Sequence, residues 1–269
     1  MKTNLKFPLI ALLVVALSMM ACSITVDLPG TDRKTGPTQT EQINVPFLAD
    51  EQATAQVRMD FGAGKLILAP GEEEALISGT ATYNFTDFKP ELSVVGNEVR
   101  LQHGNLDLKG IPTFSDTLIN TWDLKLGSAP MELEINAGAY SGTYELGGLL
   151  LKRLEINDGA SDVHLSFSEP NQTEMSLFEY TTGASSLTLD GLANANAAEM
   201  SFHSGAGSYT LDFSGELVRD MRVEIESGVS SVTIIIPQGI PVVVDTGGST
   251  LLDVSDSGGW DQDGSRYEL

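Results

Sequence analysis

Apolar residues along most of this chain recur at every second position, in short runs of Val, Ile, Leu, Phe and Tyr that break at glycine. Typical stretches are RMDFGAGKLIL, LEINAGAYSGTYEL, LEINDGASDVHLSF, LFEYTTGASSLTL, MSFHSGAGSYTLDF and VEIESGVSSVTIII. A two-residue period sends successive side chains to opposite faces of an extended strand, whereas a helix would show a period of about 3.6. No sustained helical period occurs, so the pattern predicts an all-β fold.

These stretches also resemble one another. Each centres on a glycine, at Gly62, Gly138, Gly159, Gly183, Gly205 and Gly228, and Gly247 continues the series; from Gly138 the spacings are 21, 24, 22, 23 and 19. A period near 22 implies stacked β-repeats, each too small to bury its own face. Burying one large apolar side chain contributes ~1.5–3 kcal/mol, while ordering the backbone costs ~1–2 kcal/mol per residue. One unit alone therefore does not fold. Counting from the glycines, the inward positions before the corner are Leu133/Ile135, Leu154/Ile156, Phe178/Tyr180, Met200/Phe202 and Val223/Ile225. After the corner they are Gly142/Tyr144, Val163/Leu165, Leu187/Leu189, Tyr209/Leu211 and Val232/Ile234. The glycine itself suits a tight corner needing positive φ or a close backbone approach. At Gly247 the preceding strand keeps register (Val242, Val244), and the following one (Leu252, Val254) does so with one extra residue, a bulge. A β-solenoid-like stack is expected, with a series of hairpins as the other arrangement. Ahead of it, strands are expected over 77–85, 92–101 and 118–126, with a loop at 104–116, and this N-terminal β unit should cap the first edge of the stack.

The first residues are of another kind. Lys2 and Lys6 precede an uncharged apolar run of 15 residues, Phe7 to Ala21, which is short for a membrane span and suits a secretory signal. It ends at Ala21-Cys22, the sole cysteine, with Met19 three residues before it. This resembles a bacterial lipobox, in which Cys22 is lipidated and anchors the protein to a membrane; the other reading is a plain signal with a free thiol, a liability in an oxidising compartment. Ser23 to Asn44 is polar and rich in Gly and Pro, the composition of a tether. The expected organisation is thus a signal peptide (1–21), a lipid-anchored tether (22–44), an N-terminal β unit (45–130), a β-repeat stack (131–255) and an acidic tail (256–269). The expected location is the cell membrane or outer surface, on the extracytoplasmic side.

Charge and candidate chemistry narrow the function. The formal net charge of −22 argues against nucleic-acid partners and keeps a repetitive β protein soluble. Three histidines, His103, His164 and His203, form no metal-binding or nucleophile motif, and no catalytic residue or cofactor is expected. Outward positions carry a column of Glu134, Glu155, Glu179, Ser201 and Glu224, with Arg153 and Arg222 nearby. Rungs stacked about 4.8 Å apart would set these like charges in line. Solvent, the arginines or a bound cation must relieve them, which makes the four glutamates weak metal candidates beside the simpler reading of a solvated face. A second column, Thr143, His164, Thr188, Thr210 and Thr233, reads as cross-strand pairing on an exposed face. The tail from Asp253 to Gly264 has the acid density of a Ca²⁺ loop but lacks the spacing of an EF-hand, so acidic turns are the default.

The run Asn120 to Phe167, with NTWDLKL, then PMELEINAGAY, resembles the toast-rack family of bacterial envelope domains. That family is related to LiaF-like C-terminal domains of cell-wall-stress regulators and to adhesin-like β-repeat domains. The resemblance spans roughly residues 50–255 and implies the stacked β fold. Three functions stand: a non-catalytic binding, adhesin-like or scaffold module of the envelope with a protein or glycan partner; an envelope-stress regulatory domain; and a polysaccharide-active β-helix enzyme. The third needs a groove of carboxylates, basic groups and aromatics, which Arg153 and Arg222 supply poorly.

Overall fold

The computed structural model describes residues 35–50, 53–71, 75–103, 118–247 and 258–269. The signal segment, Cys22, the loop at 104–116 and the strand expected around Leu252 and Val254 lie outside them. Among the described residues fourteen strands follow in order: β1 (Gln39–Pro46), β2 (Ala55–Pro70), β3 (Ala75–Tyr83), β4 (Pro90–Val95), β5 (Glu98–His103), β6 (Asn120–Leu126), β7 (Met131–Glu145), β8 (Leu151–Ser166), β9 (Met175–Asp190), β10 (Ala197–Asp212), β11 (Arg222–Ile235), β12 (Val243–Asp245), β13 (Asp261–Asp263) and β14 (Arg266–Glu268). Two short 3₁₀ turns sit at Thr86–Phe88 and Leu192–Ala195. Among the described residues no helix is long and apolar enough to cross a membrane.

Eleven strands form one mixed sheet in the order β1-β3-β6-β2-β7-β8-β9-β10-β11, with the β4–β5 hairpin joined to it through β2. From β2 through β7 to β11 the long strands pair in parallel, each with the next in sequence among the repeats. The register follows the corner glycines: Leu133 pairs with Leu154, Leu154 with Phe178, Phe178 with Met200, and Met200 with Val223. Both arms of each long strand feed one core. In β10, Phe202 before the corner meets Tyr209 after it, ring centroids 5.2 Å apart, so the two arms face each other across that core. This is why the inward positions change parity across the glycine, from Met200 and Phe202 to Tyr209 and Leu211 in β10.

The corner requires glycine for closeness. A β-carbon on Gly183 would stand 2.4 Å from the carbonyl oxygen of Gly159, and one on Gly205 equally close to that of Gly183. Sheet-spaced rungs leave no room for that atom. Connections between rungs are sealed by asparagines: the Asn171 amide accepts from Leu151 N–H and donates to Leu151 C=O, both at 2.8 Å. Asn194 donates to Phe167 C=O at 2.8 Å and accepts from Glu216 N–H at 2.7 Å.

Four expectations are corrected. The end of the stretch read as tether, residues 39–44, belongs to β1, which pairs antiparallel with β3 and buries Ile43 of the tether and Val45 of the β unit; only two apolar residues are needed when a preformed edge supplies the hydrogen bonds. The run 92–101 is not one strand but a hairpin turning at Gly96, whose φ is +63°. The strand before Gly247 does not join the stack: Val243–Asp245 pairs with Arg266–Glu268, and the acidic tail contributes β13 and β14 to this small sheet. Finally, Val232 is half-buried and Ile234 40% exposed, because no further rung covers β11 among the described residues.

Candidate binding face

Because the long strands run in register, outward residues of equal position line up across the sheet. One row reads Arg100, Arg58, Glu134, Glu155, Glu179, Ser201, Glu224, each the cross-strand partner of the next. The glutamate column is therefore real, and it is headed by two arginines. Arg58 Nη1 lies 2.9 Å from Glu134 Oε1, and Arg58 Nε donates to Asp60 Oδ1 at 3.0 Å. Arg100 Nη2 lies 2.6 Å from Asp60 Oδ2, and Arg153 pairs with Glu155. These contacts are part-exposed, so each contributes on the order of 1 kcal/mol or less. Their effect is to relieve the repulsion along the first two glutamates without an ion.

Arg58, Arg100 and Arg153, interleaved with Glu98, Glu132, Glu134 and Glu155, line a shallow groove of about 410 Å³ over β5, β2, β7 and β8. Beside it a second depression of about 610 Å³ is lined by Asp60, Glu91, Arg100, Gln102, Asn136 and Asn157 among others. There Asn157 donates to Asn136 at 3.3 Å, and Asn136 donates to Asp60 at 3.2 Å and to Glu134 at 2.8 Å. The face thus presents fixed guanidinium, carboxylate and amide groups on a rigid sheet. Such a surface can recognise hydroxyl-rich or charged ligands by multiple polar contacts.

The four glutamates proposed as weak metal candidates, Glu134, Glu155, Glu179 and Glu224, stand one per strand. Among the described residues no three His, Cys, Asp or Glu side chains converge as a metal ion would require. Asp253 and Asp256 of the supposed Ca²⁺ loop lie outside the described residues, and Asp261 and Asp263 sit on β13. The threonine column is in register from Thr143 through His164, Thr188 and Thr210 to Thr233. Thr188 and Thr210 are half-buried rather than exposed, whereas Thr143, His164 and Thr233 are exposed.

The histidines separate. His164 Nε2 is 3.6 Å from Asp190 and His203 Nδ1 is 3.3 Å from Glu226, both at the surface. His103 is buried among Phe61, Phe88 and Trp122, with centroids 5.0, 5.0 and 4.8 Å away. Its Nδ1 accepts from Gly62 N–H at 3.0 Å, and Asn120 Nδ2 approaches its Nε2 to 3.0 Å. Burial pushes its pKa down to about 4, only partly opposed by the Asn120 hydrogen bond, so the ring is neutral at pH 7.

A half-buried polar knot sits at the corner of the stack. Asp158 accepts hydrogen bonds from Tyr180 at 2.8 Å, Ser161 at 2.9 Å and Tyr140 at 3.2 Å, and also from Thr182. Tyr144 in turn donates to Tyr140 at 3.0 Å. Burial, then the neighbouring Tyr180 and Asp158, holds the Tyr140 phenol far above its usual range, so these hydroxyls act as donors that lock adjacent rungs together.

Alternation alone hid Asp158, whose partners come from three strands. Arg58 was findable: it lies four residues before Gly62, as Glu134 lies four before Gly138, so the same count places it in the glutamate row. Arg100 lies four residues before Gly104, so the same count reaches it, but Gly104 was not among the seven aligned glycines.

Sheet and face together define a repetitive β domain of sequentially stacked parallel strands with a charged outer surface. The chain belongs to the family described as the N-terminal domain of toast_rack, DUF2154, which matches residues 34–190 and 171–235. A candidate cell adhesion protein from Clostridium sporogenes shares its fold at 20% identity and a TM-score of 0.55, over 74% of this chain and 99% of that one. A candidate lipid binding protein from Parabacteroides distasonis aligns at 10% identity and a TM-score of 0.31, over 77% and 100% of the two chains. A candidate adhesin from Bacteroides fragilis aligns at 10% and 0.29, over 76% and 100%. No curated protein matches the chain.

Proposed function

We propose that this protein is a non-catalytic, lipid-anchored module of the bacterial envelope that binds a glycan or protein through its charged sheet face. The observation that carries the reading is the in-register row from Arg100 and Arg58 to Glu179, with Arg153 beside it, on a rigid face rather than in a closed cleft. Rigid elements hold polar groups in place at little entropic cost on binding. The Ala21-Cys22 step supports the anchor, and the polar stretch after it would let the sheet stand off the membrane.

Two measurements test it. Replacing Cys22 by Ser should move the protein from the detergent phase to the aqueous phase in a partition assay; unchanged partitioning removes the anchor. On an array of envelope glycans and peptidoglycan fragments, Arg58→Ala with Arg153→Ala should lose any captured ligand, whereas Thr143→Ala, outward but off the groove, should keep it. Equal binding by both variants would remove the face from the function.

A further inference from the structure

Among the described residues the stack is covered at one end and uncovered at the other. β11 pairs with β10 along one edge, and among the described residues no strand lies along its other edge. Its inward side chains mark the same boundary. On β10, Met200, Phe202, Tyr209 and Leu211 are at most 1% exposed, while the matching Val223, Ile225 and Val232 of β11 are half-buried and Ile234 is 40% exposed. The strand RVEIESGVSSVTII carries neither Lys nor Pro, and its charges, Arg222, Glu224 and Glu226, all precede the corner, leaving the arm after Gly228 without a charge to blunt the edge.

This edge is complementary to itself. Inward positions are odd before Gly228 and even after it, so reversing the strand about the Gly228–Val229 peptide sets inward against inward. Val223 then faces Ile234, Ile225 faces Val232, Glu224 faces Thr233, Glu226 faces Ser231 and Ser227 faces Ser230. Inward apolar residues meet inward apolar residues, each carboxylate meets a hydroxyl, Arg222 meets Ile235 at the two ends, and no acid opposes an acid. The result is not automatic: the same reversal of β10 about Gly205–Ala206 would set Glu199 against Asp212.

We propose that β11 is the docking edge for a second copy of this chain, paired antiparallel with its own equivalent about a two-fold axis through the corner. Such an interface is isologous, continues both hydrogen-bonded sheets and joins the two cores. Each chain is strongly acidic, with a formal charge of −22, so added salt should favour the pair by screening the mutual repulsion.

The test uses the full chain with Cys22→Ser, which leaves no other cysteine. One preparation carries Glu226→Cys and another Ser231→Cys; directly opposed residues of an antiparallel pair are close enough for a disulfide. Mixed under mild oxidation, the two should form a species of double mass well in excess of either alone. Sedimentation of the unmodified edge should likewise show a double-mass species that grows with concentration and with salt. Ile234→Lys should abolish it with the circular dichroism spectrum unchanged, whereas Thr233→Lys, which would face the partner's Glu224, should preserve or strengthen it. A single-mass species at every concentration without mixed disulfide overturns the proposal. So does a dimer that survives Ile234→Lys, or a monomer whose β11 amides resist hydrogen exchange, which would assign the edge to a segment of the same chain.

Discussion

The two ends of the stack carry similar strands and reach different states. β2 and β11 both alternate apolar and polar residues around a corner glycine, Gly62 and Gly228. On β2, Val57, Met59, Leu66 and Leu68 are all at most 2% exposed, because β7 covers one edge while β5 and β6 share the other. On β11 the equivalent Val223, Ile225, Val232 and Ile234 stay part-exposed, with β10 alone beside them among the described residues. Alternation decides which way a side chain points, and the neighbouring rungs decide how much water it loses. The capped end is also where the aromatic cluster of Phe61, Trp122 and His103 sits, with an edge-to-face contact of 5.0 Å between Phe61 and Trp122.

The contrast can be broken by truncation at matched inward positions. Leu189→Ala, in the middle of the stack and fully buried, should cost about 2–5 kcal/mol. Ile234→Ala, at the open end, should cost about 1 kcal/mol or less, since little apolar surface returns to water. Urea unfolding of the two variants at low protein concentration, where chains are apart, measures the difference. Equal losses would mean that β11 is as well covered as β9.

Acid should sharpen the contrast from the capped side. His103 binds its proton less readily in the folded protein, near pH 4, than in the unfolded chain, near the ordinary value of 6.5. The unfolded state then takes up the proton first as pH falls, so His103 contributes full stability above about pH 6.5 and loses it progressively toward pH 4. The loss amounts to at most about 3 kcal/mol. His103→Gln should flatten stability between pH 6.5 and 5 relative to the unmodified chain. Parallel curves through that window would show that the buried ring is not the sensing group.

The corner glycines give a smaller and more local comparison. Gly183→Ala puts a methyl against the Gly159 carbonyl between two rungs that cannot part, and overpacking of that kind costs about 1–3 kcal/mol. Gly228→Ala would meet the Gly205 carbonyl at 2.5 Å, but β11 has no rung beyond it among the described residues and can shift outward, so its cost should be clearly lower. Thermal melts of both variants decide this, and a larger shift for Gly228→Ala would contradict an open end.

Periodicity and the recurring glycines were enough to specify an all-β chain, the inward positions and the residues that face one another across rungs, because a parallel register fixed at one corner fixes every pair along the strand. Leu133 with Leu154 and Thr188 with Thr210 could be matched by counting from glycines. The glutamate row was legible for the same reason. Tertiary structure alone decided what depends on neighbours distant in sequence. β1 folds because β3 offers an edge, Arg100 joins the charged row because β5 lies against β2, and Asp158 collects hydroxyls from three strands. The fate of Val242 and Val244 shows the limit. Their alternation fits another rung, yet the backbone of β12 found its hydrogen bonds with β14. A strand's pattern names a face to bury, while the partner that buries it is set by which edges the folded chain leaves within reach.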